Sequence, residues 1–221
     1  MHEPQASPIR VLIADDHPAT RQGIRTILHS APDMAIVGEA QNGAEAQQMV
    51  SSLRPDILLL DLLMPDTKPA EIEQWVREHY PETIVLILTA HDRDHYLAEA
   101  IDAGVTGYLL KDEAPDSLTA AVRRAAFGEV LITREQYCRA QRWSQEVGAR
   151  WASLTEREGQ VASLLAQAPS NAEIAQTLAV TARTVEMHLG NIMKKLRVQS
   201  RLEIVVWMQD NLPEDMWKST G

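Results

Sequence analysis

Asp15, Asp16, Asp61, Thr89 and Lys111 are the residues through which this sequence could do chemistry. Each follows a short apolar, β-rich run: the two aspartates follow Ile9–Ala14, Asp61 follows Ile57–Leu60, Thr89 follows Thr83–Leu88, and Lys111 follows Thr106–Leu110. Three carboxylates brought together repel one another and ionise comfortably only beside a cation. Mg²⁺ suits such a site, because it binds a few carboxylates, keeps several waters and bridges to phosphate oxygens. A carboxylate is also a nucleophile for phosphoryl transfer, giving an aspartyl-phosphate. That reaction needs positioning and charge neutralisation at the equatorial oxygens, which an ammonium and a hydroxyl can share with the metal. Taken singly, Asp61 and Lys111 could form a structural ion pair, and Asp15-Asp16 a solvated turn. Five residues of the right types on four strand ends favour a site that accepts a phosphoryl group.

The elements that must position them alternate regularly. Apolar runs at Ile9–Ala14, Met34–Glu39, Ile57–Leu60, Thr83–Leu88 and Thr106–Leu110 are separated by helical patterns. Those helices are expected at Ala19–His29, Ala44–Ser52, Glu71–His79, Asp94–Ala103 and Ser117–Phe127. Five strands with intervening helices predict an α/β fold, a parallel sheet covered on both faces. The run Ile57–Leu60 fits a central strand buried on both sides. In an open parallel sheet, ligands bind beyond the carboxyl ends of the strands, where the five polar residues fall.

The strings Asp15-Asp16-His17, Asp61-Leu62-Leu63-Met64-Pro65, Thr89-Ala90 and Leu110-Lys111-Asp112 resemble the receiver domain of two-component response regulators. The resemblance spans residues 9–127. It implies a flavodoxin-like, doubly wound fold with Asp61 as phosphoacceptor and a histidine kinase as donor. It further implies that Asp16, Asp61 and the main-chain carbonyl of Leu63 bind Mg²⁺ directly, with Asp15 acting through water. Tyr108 matches the aromatic that turns inward when the threonine hydroxyl moves onto the phosphoryl group; without the family context, a half-buried aromatic at the sheet edge is an equal reading. His91 and His95, four apart with Asp92 and Asp94 between them, superficially suggest a metal site. Two histidines without a third ligand are weak grounds, and a solvated helix start is preferred; His91 could also position a water near the pocket.

Beyond residue 127 no strand pattern recurs. Residues 128–153 read as a linker, helical over Glu135–Arg150. A separate all-α domain of four helices follows at 154–211, with helices at Thr155–Gln167, Asn171–Leu178, Thr181–Leu196 and Ser200–Asn211, and a tail over 212–221. Thr155 and Glu158 form a capping-box signature, and Asn171 and Thr181 are further N-cap candidates. The second and third of these helices, joined at Ala179–Val180, have the lengths of a helix-turn-helix. Val185, Leu189, Ile192 and Leu196 make one inward stripe. Arg183, Thr184, Met187, Asn191, Lys194 and Lys195 are left outward or on the flanks, as a major-groove reader requires and as any solvated helix has.

The strings Leu154-Thr155-Glu156-Arg157-Glu158, Asn171-Ala172-Glu173-Ile174-Ala175, Thr184-Val185-Glu186-Met187-His188 and Lys195-Leu196 resemble the LuxR-type DNA-binding domain. Together with a receiver, this is similar to the NarL/FixJ class. The resemblance implies a recognition helix at Thr181–Leu196 and a dimer contact on the last helix, through Ile204, Val205 and Trp207. Ala172 and Glu186 stand where the family commonly has lysine, and Gly190 where it often has a polar or basic residue. Each lost phosphate contact weakens binding to all DNA, and a mid-helix glycine costs roughly 1 kcal/mol relative to alanine.

Charge supports two separate jobs. The chain has a net charge of −10, but residues 1–149 carry 13 basic and 23 acidic residues, residues 150–211 carry 7 and 6, and the tail carries 1 and 2. Cys138 is the only cysteine, so no disulfide can form within the chain. The opening MHEPQASPIR lacks a secretory h-region, and no apolar run approaches a membrane span. A cytoplasmic protein is expected, with double-stranded DNA, a histidine kinase and a second copy of itself as partners, and no membrane. The expected role is a phosphorylation-dependent transcriptional regulator, not an enzyme with an external substrate. Two rivals are a phosphatase working through an aspartyl-phosphate, which the attached helix-turn-helix disfavours, and a C-terminal domain that contacts protein instead of DNA.

Overall fold

The computed structural model describes residues 7–65, 68–112, 115–167, 170–213 and 217. The first six residues and most of the charged tail lie outside the described residues. Two compact units divide between Cys138 and Arg139.

The first unit is a five-stranded parallel sheet of β1 (Ile9–Ala14), β2 (Met34–Ala40), β3 (Ile57–Leu60), β4 (Ile84–Thr89) and β5 (Gly107–Leu110). Their spatial order is β2-β1-β3-β4-β5, the flavodoxin-like order whose ligand crevice opens between β1 and β3. Between the strands run α1 (Pro18–His29), α2 (Gly43–Leu53), α3 (Pro69–His79) and α4 (Asp94–Ala103), and α5 (Pro115–Ala126) follows β5. Alternation in the strands sets two cores. Val11, Ile13, Ile57, Leu59, Leu86 and Leu88 pack with Ile24 and Leu28 of α1 and Leu118 and Val122 of α5. Leu12, Leu58, Leu60 and Ile87 are buried on the opposite face. All four residues of β3 are at most 1% exposed, as a strand covered on both sides demands. Burying such side chains stabilises the unit by about 1.5–3 kcal/mol each.

The edge strand β5 does not end the unit. After α5 the chain returns alongside it, where Leu131 forms an isolated parallel bridge to Gly107 and its N–H bonds the Thr106 carbonyl at 2.7 Å. Helix α6 (Arg134–Trp143) then spans the division between the units. A π-helical turn (Ser144–Gly148) and α7 (Ala149–Ala152) continue it.

The second unit comprises the chain from Arg139, with α8 (Glu156–Leu165), α9 (Asn171–Thr177), α10 (Ala182–Leu196) and α11 (Arg201–Asn211). Their starts are set by side chains that satisfy free backbone N–H groups. Thr155 and Glu158 form the expected capping box, and Thr181 caps α10 through the Thr184 N–H. One expectation is corrected: Ser170, not Asn171, caps α9, because its hydroxyl takes the Glu173 N–H while the Glu173 carboxylate returns to Ser170. Trp143 and Trp151, in the segment read as linker, pack against this unit's core, and Leu212 and Trp217 of the tail belong to it. The Trp143 indole donates to the Asn211 carbonyl at 3.1 Å, and Trp151 stacks on Trp207.

Candidate functional site

The carboxyl end of the sheet gathers the acidic residues. The crossing from β1 to α1 is only Asp15, Asp16 and His17, because Pro18 starts the helix at a position where its missing N–H is not needed. The Asp61 N–H bonds the Ala14 carbonyl at 2.8 Å, and the Lys111 N–H bonds the Thr89 carbonyl at 2.8 Å, so the strand ends stay aligned. The Lys111 ammonium lies 2.6 Å from Asp15 Oδ2 and 2.9 Å from Asp61 Oδ2. Asp15, Asp16, His17 and Asp61 each offer a ligand atom, all within 4.8 Å of one another. His17 Nδ1 stands 2.6 Å from Asp16 Oδ1, and the His17 N–H donates to Asp15 Oδ1 at 2.8 Å.

Three carboxylates thus face one ammonium. Asp15 Oδ2 and Asp16 Oδ1 are buried without a well-formed hydrogen bond, although Lys111 and His17 stand close to them. Asp61 is 5% exposed. Burial pushes its carboxyl above the usual carboxylate range, against Lys111 and a backbone hydrogen bond from Leu63, while Asp15 adds repulsion. Surplus negative charge and oxygens lacking donors are what a small divalent cation would satisfy. The donor set, all carboxylate oxygens beside one histidine, fits Mg²⁺.

Thr89 is the last residue of β4 and fully buried, its hydroxyl accepting the His91 N–H at 3.0 Å. Tyr108 is not a half-buried edge aromatic: it is 1% exposed, and its hydroxyl donates to the His91 carbonyl at 2.8 Å. Among the described residues, no group of potential metal ligands includes His91 or His95. The solvated helix start expected for that pair is half right. His91 is exposed, whereas His95 is buried against the Tyr96 ring. Leu63 is 39% exposed, and its N–H donates a hydrogen bond to the Asp61 carboxylate.

Two functional neighbours escaped the sequence reading. Arg21 is buried on α1, in register with Ile24 and Leu28, and its Nη1 donates to the Asp15 carbonyl at 2.5 Å. The signal was the stripe at 21, 24 and 28, which puts a guanidinium on the inward face. Gln136 bonds the Tyr108 carbonyl across 28 residues, and no spacing announces such a contact.

In the second unit, the buried residues of α10 are Val185, Leu189, Ile192 and Leu196, the expected stripe. The turn before it holds Ala179 at φ 53°, a left-handed conformation that strains any residue with a Cβ. Arg157 steadies that turn through the Leu178 carbonyl at 2.8 Å. Arg183, Glu186, Met187 and Lys194 are exposed, and Thr184 and Asn191 are half-buried. Lys195 is drawn inward instead, 2.6 Å from Glu158 and 2.8 Å from the Ser153 carbonyl, because the capping carboxylate of α8 faces it. Lys195 holds Glu158 below the ordinary carboxylate range, together with Thr155 and against burial.

Residues 11–123 match the response regulator receiver domain family, and residues 152–208 match the bacterial regulatory proteins of the luxR family. The response regulator protein VraR of Staphylococcus aureus is 36% identical over 205 residues, covering 92% of this chain and 98% of that protein. The receiver domain of the putative response regulator NarL from Mycobacterium tuberculosis superposes with a TM-score of 0.54 at 35% identity, over 56% of this chain and 99% of that one. The response regulator RcsB, solved in a DNA complex, superposes at 0.60 with 25% identity, over 92% and 99%. Among the described residues no helix is long and apolar enough to cross a membrane. The two family matches, taken with a relative 36% identical over 92% of the chain, show that this chain belongs to the response regulators, with a receiver domain followed by a LuxR-family DNA-binding domain.

Proposed function

We propose that Asp61 accepts a phosphoryl group from a histidine kinase, and that this charge change governs binding of the C-terminal domain, as a dimer, to duplex DNA. The observation carrying it is a buried Asp61 carboxylate 2.9 Å from Lys111, within an acidic cluster that holds more negative charge than its one ammonium offsets. One Asp61 oxygen attacks phosphorus, the O–P bond forms, and the N–P bond of the donor phosphohistidine breaks. The Lys111 ammonium neutralises a phosphoryl oxygen, and the Thr89 hydroxyl, at the end of the neighbouring strand, offers a further hydrogen bond. Asp16, Asp61 and the Leu63 carbonyl would hold Mg²⁺, and Asp15 would hold one of its waters. When bound, the metal supplies neutralisation of the equatorial oxygens.

For the DNA-binding half, Arg183, Thr184, Met187, Asn191 and Lys194 form the face offered to the groove. Lys195, engaged with Glu158, serves to fix α10 against α8. A dimer would engage half-sites roughly one helical turn apart. Duplexes selected from a random library by the phosphorylated protein test this whole reading. Affinity for them should rise on phosphorylation in the wild type and stay at the unphosphorylated level in Asp61→Asn. An equal rise in both proteins would overturn it.

A further inference from the structure

Arg21 is the buried cation nearest the acidic loop, and nothing in the phosphoryl-transfer chemistry above uses it. The residue is 9% exposed, and its guanidinium reaches the β1–α1 crossing. Nη1 donates to the main-chain carbonyl of Asp15 at 2.5 Å, and Nε lies 3.5 Å from Glu39 Oε2 in β2. Glu39 is shared with Arg25, so β2 holds one carboxylate against two guanidinium groups from α1.

The position itself argues for a function. Arg21 occupies the inward stripe of α1 with Ile24 and Leu28, where an apolar side chain would pack without desolvating a charge. A buried ion pair is often no more stabilising than an apolar replacement of similar volume, so stability alone does not account for arginine there. What Arg21 grips is the peptide joining Asp15 to Asp16. That peptide sets the directions of both side chains, one toward Lys111 and the other toward His17. The loop around it is also held by the Asp15 N–H on the Ala40 carbonyl at 3.1 Å and the His17 N–H on Asp15 Oδ1 at 2.8 Å. Without the guanidinium, the carbonyl between the two aspartates would lose the side-chain donor that α1 gives it.

We infer that Arg21 is a positioning residue for the cation site, clamping the Asp15 carbonyl so that the Asp15 and Asp16 carboxylates are fixed before a divalent ion arrives. The inference rests on reading the acidic cluster as a Mg²⁺-dependent phosphoacceptor site. Partners that orient metal ligands typically change affinity by about 10–100-fold when removed.

Mn²⁺ serves as the probe, titrated into the full-length protein and followed by the electron paramagnetic resonance signal of the free ion. Wild type should bind, and Asp16→Ala should lose binding. Arg21→Met should bind about 10–100-fold more weakly, and Arg21→Lys should fall between, since an ammonium keeps the charge but lacks the planar fork of donors that spans the carbonyl and Glu39. Labelling of Asp61 by a small phosphodonor should return toward the wild-type rate at high Mn²⁺. A purely structural arginine would instead lower the metal-free unfolding temperature and leave the affinity of folded molecules unchanged. Wild-type Mn²⁺ affinity in the folded Arg21 variants would overturn the inference. If Arg21→Met does not fold, Arg21→Lys decides by the same criterion. Failure of the wild type itself to bind Mn²⁺ would instead bring down the reading of the site, a result that no Arg21 variant can mimic.

Discussion

The side-chain amide of Gln136 donates to the main-chain carbonyl of Tyr108 at 3.0 Å, tying the start of α6 to the edge strand β5. On the other side of the same residue, the Tyr108 hydroxyl bonds the His91 carbonyl, and the His91 N–H bonds the Thr89 hydroxyl. A chain of hydrogen bonds therefore runs from the carboxyl end of β4 to the helix that leads into the second unit. Gln136→Ala should leave labelling of Asp61 unchanged and shrink the gain in DNA affinity on phosphorylation by several-fold. Coupling between sites is typically about 1–3 kcal/mol, so one contact can carry a measurable share. Binding isotherms for both forms of wild type and variant provide the check. An unchanged ratio would remove Gln136 from the coupling.

Glu73 gives a pH dependence with a definite sign. It is buried on α3, with Oε2 lacking a hydrogen bond, and burial pushes its carboxyl from 4.5 up to about 7, partly opposed by Arg77. Between those values the folded protein keeps a proton that the unfolded chain has lost. Stability is therefore greatest below the unfolded value, falls as pH rises through the window, and levels off above about 7. Glu73→Gln should remove this slope and stabilise the receiver by on the order of 2–3 kcal/mol at mildly alkaline pH. Thermal unfolding of both proteins at acid and alkaline pH measures it. Parallel curves would contradict the assignment.

The recognition helix carries its own prediction. Glu186 is exposed on α10, next to the buried Val185. Replacing it with lysine removes a charge that repels phosphates and adds one that attracts them. Glu186→Lys should tighten binding to arbitrary duplex DNA and steepen its salt dependence by about one unit of slope per added phosphate contact. If Glu186 instead accepts a hydrogen bond from a cytosine amino group, binding to selected sites should weaken while non-specific binding strengthens. Unchanged affinity and slope on both DNAs would mean that Glu186 does not face DNA.

Periodicity made the receiver legible. The five expected strands lie within two residues of those observed, because a sheet covered on both faces forces apolar runs to begin and end at its rims. The four stripe residues of α10 were legible for the corresponding reason in a helix. Caps were legible in part: Thr155 with Glu158 and Thr181 were found, but Ser170 and Glu173 spell a box as clearly as Thr155 and Glu158, yet Asn171 drew attention for its type alone. Lys195 reads as outward or on a flank, and its pairing stays hidden because a sequence gives the helix face and not the carboxylate waiting opposite. Gln136 left no trace, since its contact depends on a backbone carbonyl distant in sequence. The acidic site was read residue by residue from strand ends, while Arg21 was hidden among apolar neighbours.

Phosphoryl transfer to Asp61 is the claim on which the others depend, and direct mapping tests it. Full-length protein is incubated with Mg²⁺ and a small phosphodonor such as acetyl phosphate, and the modified residue is located by mass spectrometry. One phosphoryl group should be found, on Asp61, absent when the metal is chelated and absent in Asp61→Asn. Asp16→Ala should suppress labelling more than Asp15→Ala. Full labelling of Asp61→Asn, or undiminished labelling in excess chelator, would contradict the assignment of this pocket as a metal-dependent phosphoacceptor.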